Sequence, residues 1–233
     1  MKPVKKGVLR HNFTKYGQAK VHLLERLGQH CSYCEAYGEP QTLDVEHIYP
    51  KKPHPELELK WRNFLIACKS CNSYKNAHLG NDRQTGLESR YVWPHRDNTF
   101  RAFKYFSDGR VDLKKGLKKL IRIAAEATRE MVGLLSSPAK AAEFSKRGIA
   151  YDGARKRSQQ WRQAEDFKKM YLKAPSPFNA TTIADAAMRM GYFSIWMEVF
   201  HDRPEMRCEL IRAFKADKDC FNANFKPIKK GRV

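Results

Sequence analysis

The sequence lacks any apolar run close to the roughly 20 residues that a membrane-spanning helix needs, so we expect no transmembrane segment and no action at a membrane. The basic residues 1–6 are not followed by the apolar stretch of a secretory signal. We therefore expect a cytoplasmic protein. With 233 residues, of which 42% are hydrophobic, the chain is long enough to bury a core as one large domain or two small ones.

Acidic side chains are also few, because 25 Asp and Glu residues oppose 45 Lys and Arg residues and leave a formal net charge of +20. Such an excess attracts polyanions, nucleic acid above all. An acidic protein partner, or solubility alone, is the alternative explanation. Residues 1–100 carry 16 basic and 10 acidic side chains, and residues 101–233 carry 29 and 15. We therefore predict nucleic-acid binding, with most of the charge in the second half.

Cysteines are few as well, but four of the six form two Cys-x-x-Cys pairs, Cys31/Cys34 and Cys68/Cys71. Without a secretory signal, paired thiols indicate metal ligands before disulfides. The two-residue gap lets both sulfurs of a pair face one ion at about 2.3 Å, and four thiolates complete a tetrahedral zinc shell. The spacing predicts a structural Zn²⁺ site. Zinc ribbons that only bind partners share this spacing, so it does not by itself indicate catalysis.

Polar residues between and after the cysteine pairs indicate chemistry. Apolar and polar side chains alternate over residues 43–48, as in a short strand, and Glu46 and His47 lie near its end. Asn63 precedes the second cysteine pair, and Asn72 follows it. Carboxylate and amide oxygens suit Mg²⁺ or Mn²⁺, and a neutral imidazole can take a proton from water near pH 7. The structural alternatives are a solvated strand-end charge for Glu46 and a helix cap for Asn72.

This pattern resembles the HNH endonuclease family, whose motif combines Cys-x-x-Cys, an acidic-His pair before Ile and Pro, a central Asn, and Cys-x-x-Cys-(His/Asn)-x-x-Lys. The resemblance covers about residues 28–113. Its segments Cys-x-Tyr-Cys-Glu, Val-Glu-His-Ile-x-Pro-Lys and Pro-Glu-Leu-x-x-x-Trp-x-Asn-Phe-Leu are similar to the HNH nuclease subunits of Septu-type (PtuB-like) anti-phage systems, whose relatives also accompany retrons. Two positions depart from the commoner pattern, since Glu46 replaces Asp and Asn72 replaces His.

The resemblance implies a zinc-clamped ββα-metal module whose helix begins near Lys69. Together with the helical pattern after residue 113, this predicts an α+β fold in which the module is followed by a mostly helical basic region. It implies that His47 is the general base, that Glu46 and Asn72 hold the catalytic Mg²⁺ or Mn²⁺, and that Asn63 braces the loop and orients His47. Three nearby lysines are expected to bind nucleic acid, although an ordinary surface charge is the alternative for the first of them: Lys75, Lys51 and Lys52.

The function implied by the resemblance is metal-dependent hydrolysis of DNA phosphodiester bonds by the effector of a bacterial anti-phage system. A PtuA-like ATPase is the partner that the resemblance implies. Two alternatives stay open: a non-catalytic zinc module that binds nucleic acid or a protein, and an HNH nuclease that acts on RNA. The sequence also leaves open whether the chain forms an oligomer.

Three segments are predicted along the chain. Residues 1–29 form a basic arm, loose to about residue 12, and a helix near 13–27. Residues 30–113 form the HNH module, with short extended pieces near 100–106 and 109–113. Residues 114–233 form a helical region that binds nucleic acid or a partner, and its tail from residue 226 is expected to fray.

Apolar periodicity predicts a long helix from Leu117 to Leu135, with Leu120 on its buried face and a stop at Pro138. Further helices are predicted at 139–147, at 155–173, from a cap at Thr181 or Thr182 to Met190, and after Pro204. In the HNH module, Trp61, Phe64 and Leu65 are predicted in the core and His54 on the surface. The basic run 155–157 is expected to be solvated or to contact phosphate.

Overall fold

A computed structural model describes residues 1–79, 86–134 and 153–233, which form an α+β fold as predicted. The strands are β1 (Leu43–His47), β2 (Phe64–Cys68), β3 (Phe103–Tyr105) and β4 (Val111–Leu113). The helices are α1 (Ala19–Leu27), α2 (Lys69–Leu79), α3 (Leu87–Arg90), α4 (Lys119–Met131), α5 (Gly153–Lys173), α6 (Pro177–Met190), α7 (Phe193–Val199) and α8 (Pro204–Ala213). Among the described residues, no helix is long and apolar enough to cross a membrane.

The ββα unit is the antiparallel pair β1–β2 with α2 following directly. The register runs from Leu43 opposite Cys68 to His47 opposite Phe64. Adjacent side chains of a strand point to opposite faces. Glu46 meets Lys75 of α2, whereas the ring of His47 meets that of Tyr16 just before α1. The hairpin therefore lies between α1 and α2, and the predicted start of α2 near Lys69 is confirmed.

The second hairpin, β3–β4, confirms the two predicted extended pieces in shorter form. Its turn holds Gly109 at φ +83°, where an added Cβ would lie 1.9 Å from the carbonyl oxygen of Ala154. The carbonyl of Gly109 accepts a hydrogen bond of 2.7 Å from Nε of Arg157, which is 1% exposed. The expectation that Arg157 is solvated or contacts phosphate is therefore wrong, since this guanidinium joins α5 to the hairpin turn.

Residues 1–6 of the basic N-terminal arm, apart from the exposed Lys5, are packed into the protein, and the expectation that the arm is loose is wrong for them. Lys2 is 1% exposed and donates to the carbonyls of Leu27 (2.8 Å) and Phe214 (2.7 Å). Lys6 donates to three carbonyls around the start of β2 at 2.8–2.9 Å. An ammonium group has three donors, so main-chain carbonyls can satisfy it in the interior. Burial lowers the pKa of Lys2 and of Lys6 to about 7.

The C-terminal tail is anchored, so the expected fraying is also wrong. The side-chain amide of Asn98 donates to the carbonyls of Cys220 and Ile228, both at 2.7 Å. Arg232 forms an ion pair of 3.0 Å with the buried carboxylate of Asp97. These contacts hold the tail against the loop between α3 and β3, which a local reading of charge could not indicate.

Helix α4 is shorter than the predicted 117–135, and only part of the predicted face is buried. Leu120 is 78% exposed, and the expectation that it is buried is wrong. The buried positions of this helix are Ala124, Ala125, Thr128 and Met131. The predicted helix 139–147 and the stop at Pro138 lie outside the described residues.

Helix α6 begins earlier than predicted. Its N-cap is Ser176, whose hydroxyl accepts a hydrogen bond of 3.1 Å from the amide of Asn179. Pro177 occupies the first turn, where a missing amide hydrogen costs nothing. Thr181 and Thr182 therefore lie inside the helix, and the expectation that either caps it is wrong. The predicted helices at 155–173 and after Pro204 are confirmed.

The helical region packs on the first cysteine pair through the junction of α6 and α7. We call the pair Cys31/Cys34 with its loop the first knuckle. Glu35, in the left-handed region at φ +67°, accepts hydrogen bonds at its carboxylate from the hydroxyl (2.6 Å) and amide (2.9 Å) of Ser194. Its carbonyl accepts a bond of 2.8 Å from the amide of Tyr192. On the same side, the ring of His30 contacts the carbonyl of Met188 at 2.7 Å. The knuckle and the helices thus share buried polar contacts.

Gly191 makes this close approach between the two segments of the chain possible. At φ +81°, an added Cβ would lie 2.6 Å from the amide nitrogen of Tyr37 and 2.8 Å from the carbonyl of Glu35. We expect Gly191→Ala to lower the free energy of unfolding by about 1–3 kcal/mol more than Gly116→Ala, because overpacking adds to the backbone penalty. Gly116 is the matched control, since it has φ +79° and no neighbour within 4 Å of the added Cβ. Chemical denaturation measures both variants, and equal losses would contradict the steric argument.

Candidate active site and zinc centre

Four thiols converge where the first knuckle meets the hairpin. The Sγ atoms of Cys31, Cys34, Cys68 and Cys71 all lie within 4.8 Å of one another, and Sγ of Cys34 is 3.8 Å from Sγ of Cys68. A tetrahedral zinc ion with Zn–S bonds of about 2.3 Å separates its sulfurs by about 3.8 Å. The cluster therefore fits Zn²⁺. Because Cys68 ends β2 and Cys71 lies in the first turn of α2, the ion would hold the knuckle, the strand and the helix together.

His47 is placed at the end of β1 with a fixed ring orientation. It is 7% exposed, and its ring lies edge-on to those of Tyr16 (5.0 Å between centroids) and Phe64 (5.1 Å). Its Nε2 is 2.9 Å from the carbonyl oxygen of Glu58. A carbonyl only accepts, so Nε2 carries the proton and donates, which leaves Nδ1 as the basic nitrogen. Burial lowers the pKa of His47, so its imidazole is neutral near pH 7.

Asn63 braces the loop that orients His47. Its Oδ1 accepts a hydrogen bond of 2.7 Å from the amide of Tyr49, and its Nδ2 donates to the carbonyls of Tyr49 (3.0 Å) and Leu57 (3.1 Å). Leu57 directly precedes Glu58, whose carbonyl binds His47. These contacts support the predicted bracing role of Asn63, which does not line the cavity that His47 lines.

His54 belongs to the same loop, and the expectation that it lies on the surface is wrong. It is 7% exposed, and its ring packs 5.1 Å from that of Tyr49. The prolines on either side of it gave no sign of this packing. The prediction that Trp61, Phe64 and Leu65 belong to the core is confirmed.

A cavity of about 460 Å³ opens beside β1, and we call it the active-site cavity. His47 and Asn72 both line it, so the structure brings together the predicted base and one predicted metal ligand. Lys51 also lines the cavity and lies with its Nζ 4.3 Å from the centroid of the Tyr16 ring. Lys52 is exposed outside the cavity. The remaining lining residues are Tyr16, Gly17, Lys20, Asp44, Val45, Pro50 and Asn76.

Glu46 lies on the other face of β1, outside the residues that line the cavity. It is 1% exposed, with Oε1 2.8 Å from Nζ of Lys75 and Oε2 accepting a bond of 3.0 Å from the hydroxyl of Tyr33. Burial raises the pKa of Glu46, and the ammonium of Lys75 acts in the opposite direction. Lys75 also donates to the carbonyl of His47 at 2.5 Å. A buried pair with such geometry positions the end of β1.

The expected phosphate contact of Lys75 does not fit this position, because its side chain is 1% exposed and points into the protein. Sequence reasoning also overlooked Asp44, a half-buried residue of β1 that is among those lining the active-site cavity. The signal available was its position in β1, two residues before Glu46 in a run of alternating apolar and polar residues.

Comparisons with known proteins agree with this geometry. The HNH endonuclease family model matches residues 31–78. The chain is 43% identical over 61 residues to Septu protein PtuB from Bacillus thuringiensis, and this covers 25% of the chain and 24% of that protein. The chain thus spans about a quarter of the length of the relative it matches. The matched region contains the four cysteines, the hairpin and α2, and residues 31–78 are an HNH endonuclease domain.

Proposed function

We propose that the chain is a metal-dependent endonuclease that hydrolyses DNA phosphodiester bonds and acts with a PtuA-like ATPase in a Septu-type anti-phage system. The observation that carries the proposal is the neutral, oriented imidazole of His47 in one cavity with Asn72, next to a cysteine cluster that fits zinc. The Septu-type context and the ATPase rest on the similarity to PtuB. The high positive charge supports a nucleic-acid substrate.

The residues of the active-site cavity divide the work of hydrolysis. Nδ1 of His47 takes a proton from the attacking water, while the carbonyl of Glu58 holds Nε2–H and stabilises the imidazolium that forms. Lys51 supplies positive charge at the cavity wall and binds a phosphate oxygen. Asn63 keeps the Glu58 carbonyl in place and acts through His47 as a positioning residue.

The oxygen donors at the cavity fit a hard divalent cation. When bound there, Mg²⁺ or Mn²⁺ would supply charge stabilisation for the phosphate and for the leaving oxygen. We propose Asn72 as one ligand. The carboxylate ligand would be Glu46, which would then exchange Lys75 for the ion, or Asp44, which is among the residues that line the cavity.

The nuclease activity is tested with supercoiled plasmid and with RNA, in Mg²⁺, in Mn²⁺ and without added divalent ion, with and without the ATPase. Ion-dependent cutting of plasmid supports the proposal, and cutting of RNA alone moves the substrate to RNA. Failure to cut either substrate in the presence of the ATPase favours the non-catalytic alternative.

The carboxylate ligand is identified by titrating zinc-loaded protein with Mn²⁺ in a calorimeter. Asp44→Asn is compared with Glu46→Gln, and the variant whose Mn²⁺ affinity falls by about 10-fold or more identifies the ligand, since removing one carboxylate weakens a hard-cation site. Normal Mn²⁺ binding by both variants would contradict a carboxylate ligand at either position.

A further inference from the structure

A groove of about 1240 Å³, which we call the basic groove, shares none of its described lining residues with the active-site cavity. One wall is residues 6–13, and the other is residues 59–62 before β2. Its volume exceeds the roughly 300–1,000 Å³ typical of small-molecule pockets. A polymer segment therefore suits it better than a metabolite.

The charge of the basic groove comes from three exposed cations on its walls, Arg10, Lys60 and Arg62. Within residues 1–79, 86–134 and 153–233, none of the three forms an ion pair. Glu88 is the one acidic side chain among the described lining residues, and Arg96 pairs with it at 3.2 Å. The three cations are thus available to an external anion.

Two other basic residues of the groove contribute little charge. Lys6 is occupied by three main-chain carbonyls. Burial lowers the pKa of His95 to about 3, so its imidazole is neutral at pH 7. Exposed apolar side chains stand beside the cations, including Val8 at 82% exposure. The available charge of the groove therefore comes from Arg10, Lys60 and Arg62, which suit phosphate oxygens.

The basic groove borders the catalytic residues through a short chain of aromatic contacts. Phe13 lines the groove and packs 5.9 Å from Phe64, whose ring is 5.1 Å from that of His47. Three residues after Phe13, Tyr16 lines the active-site cavity. The N-terminal segment therefore forms one wall of both sites. A nucleic-acid strand that follows this segment would pass from the groove to His47.

We propose that the basic groove binds the phosphodiester backbone of the DNA substrate on one side of the scissile phosphate, an inference that rests on the proposed function. Arg10, Lys60 and Arg62 each neutralise one backbone phosphate. These contacts are independent of sequence, so they set affinity and register and leave the chemistry to the active-site cavity.

The test measures DNA affinity by fluorescence anisotropy in the His47→Ala background without added divalent ion, so that binding is separated from cutting. The groove variant carries Arg10→Ala, Lys60→Ala and Arg62→Ala. The matched control carries Arg122→Ala, Arg162→Ala and Lys173→Ala, which removes three exposed charges from α4 and α5. We expect the groove variant to weaken binding by about 10-fold or more at 0.1 M salt and to reduce the salt slope by about 1 for each residue. The control changes affinity by less than about 3-fold.

Equal weakening by the two variants would overturn the proposal, because the net charge alone would then explain binding. Unchanged DNA binding with lost association to the ATPase would also overturn it and assign the groove to that partner. Either result leaves the proposed function standing if the parent protein cuts plasmid. A parent that cuts no nucleic acid with the ATPase present defeats the proposed function itself.

Discussion

His47→Ala is expected to lower the rate of plasmid cleavage by about 10²–10⁴-fold, the usual contribution of a positioned general base. The imidazole is held by the carbonyl of Glu58 and by two aromatic rings, so its Nδ1 has a fixed direction. The measurement is the initial rate at saturating Mg²⁺, with the ATPase present if the parent requires it.

His78→Ala is the matched control for this variant, because His78 is an exposed histidine on α2 that does not line the active-site cavity. It should cleave at the parental rate. Unfolding by denaturant separates a lost base from a lost fold, since truncating a buried ring also leaves a void between Tyr16 and Phe64. If folded His47→Ala cleaves as fast as the parent, the base is another residue.

Removing zinc is expected to unfold the HNH domain. Structural zinc sites in small domains contribute about 10–16 kcal/mol of apparent binding energy at neutral pH, which is comparable with the 5–15 kcal/mol that stabilises a typical protein. Here the four thiols join the first knuckle, the end of β2 and the start of α2. We expect about one zinc ion per chain by elemental analysis, and loss of cooperative thermal unfolding in Cys71→Ser.

Cys208→Ser is the matched control, because this half-buried thiol of α8 lies outside the cluster. It should keep its zinc and its melting transition. A Cys71→Ser variant that holds one zinc ion and melts with the parent would contradict the four-thiolate site.

The cysteine cluster, and the placement of His47 and Asn72 beside it, could be predicted because the spacing that defines them is local. Two-residue gaps fix the geometry of each knuckle, and His47 and Asn72 are tied to the knuckles by a hairpin and one helical turn. The orientation of Glu46 was also within reach, since neighbouring residues of a strand face opposite sides. Its partnership with Lys75 was not, because that pair depends on how α2 lies across the sheet.

The distribution of the charge could not be predicted from its sum. Arg157, Lys2 and Lys75 are cations that the fold buries against carbonyls or a carboxylate. The basic groove is assembled from segments about 50 residues apart in sequence, 6–13 and 59–62, so no local window displays it. The same reason explains Leu120, whose exposure is set by which turns of α4 meet α2 and α3 rather than by its own hydrophobicity.

The hydrogen bonds that Ser194 donates to Glu35 have a consequence for protein engineering. A fragment cut to residues 30–113 would expose a carboxylate and the face of the knuckle that the α6–α7 junction now covers. Grafted alone onto another scaffold, this fragment would lack the α6–α7 junction that packs against the cysteine cluster. Cassettes designed from this chain therefore need the segment around Gly191 as well as the motif.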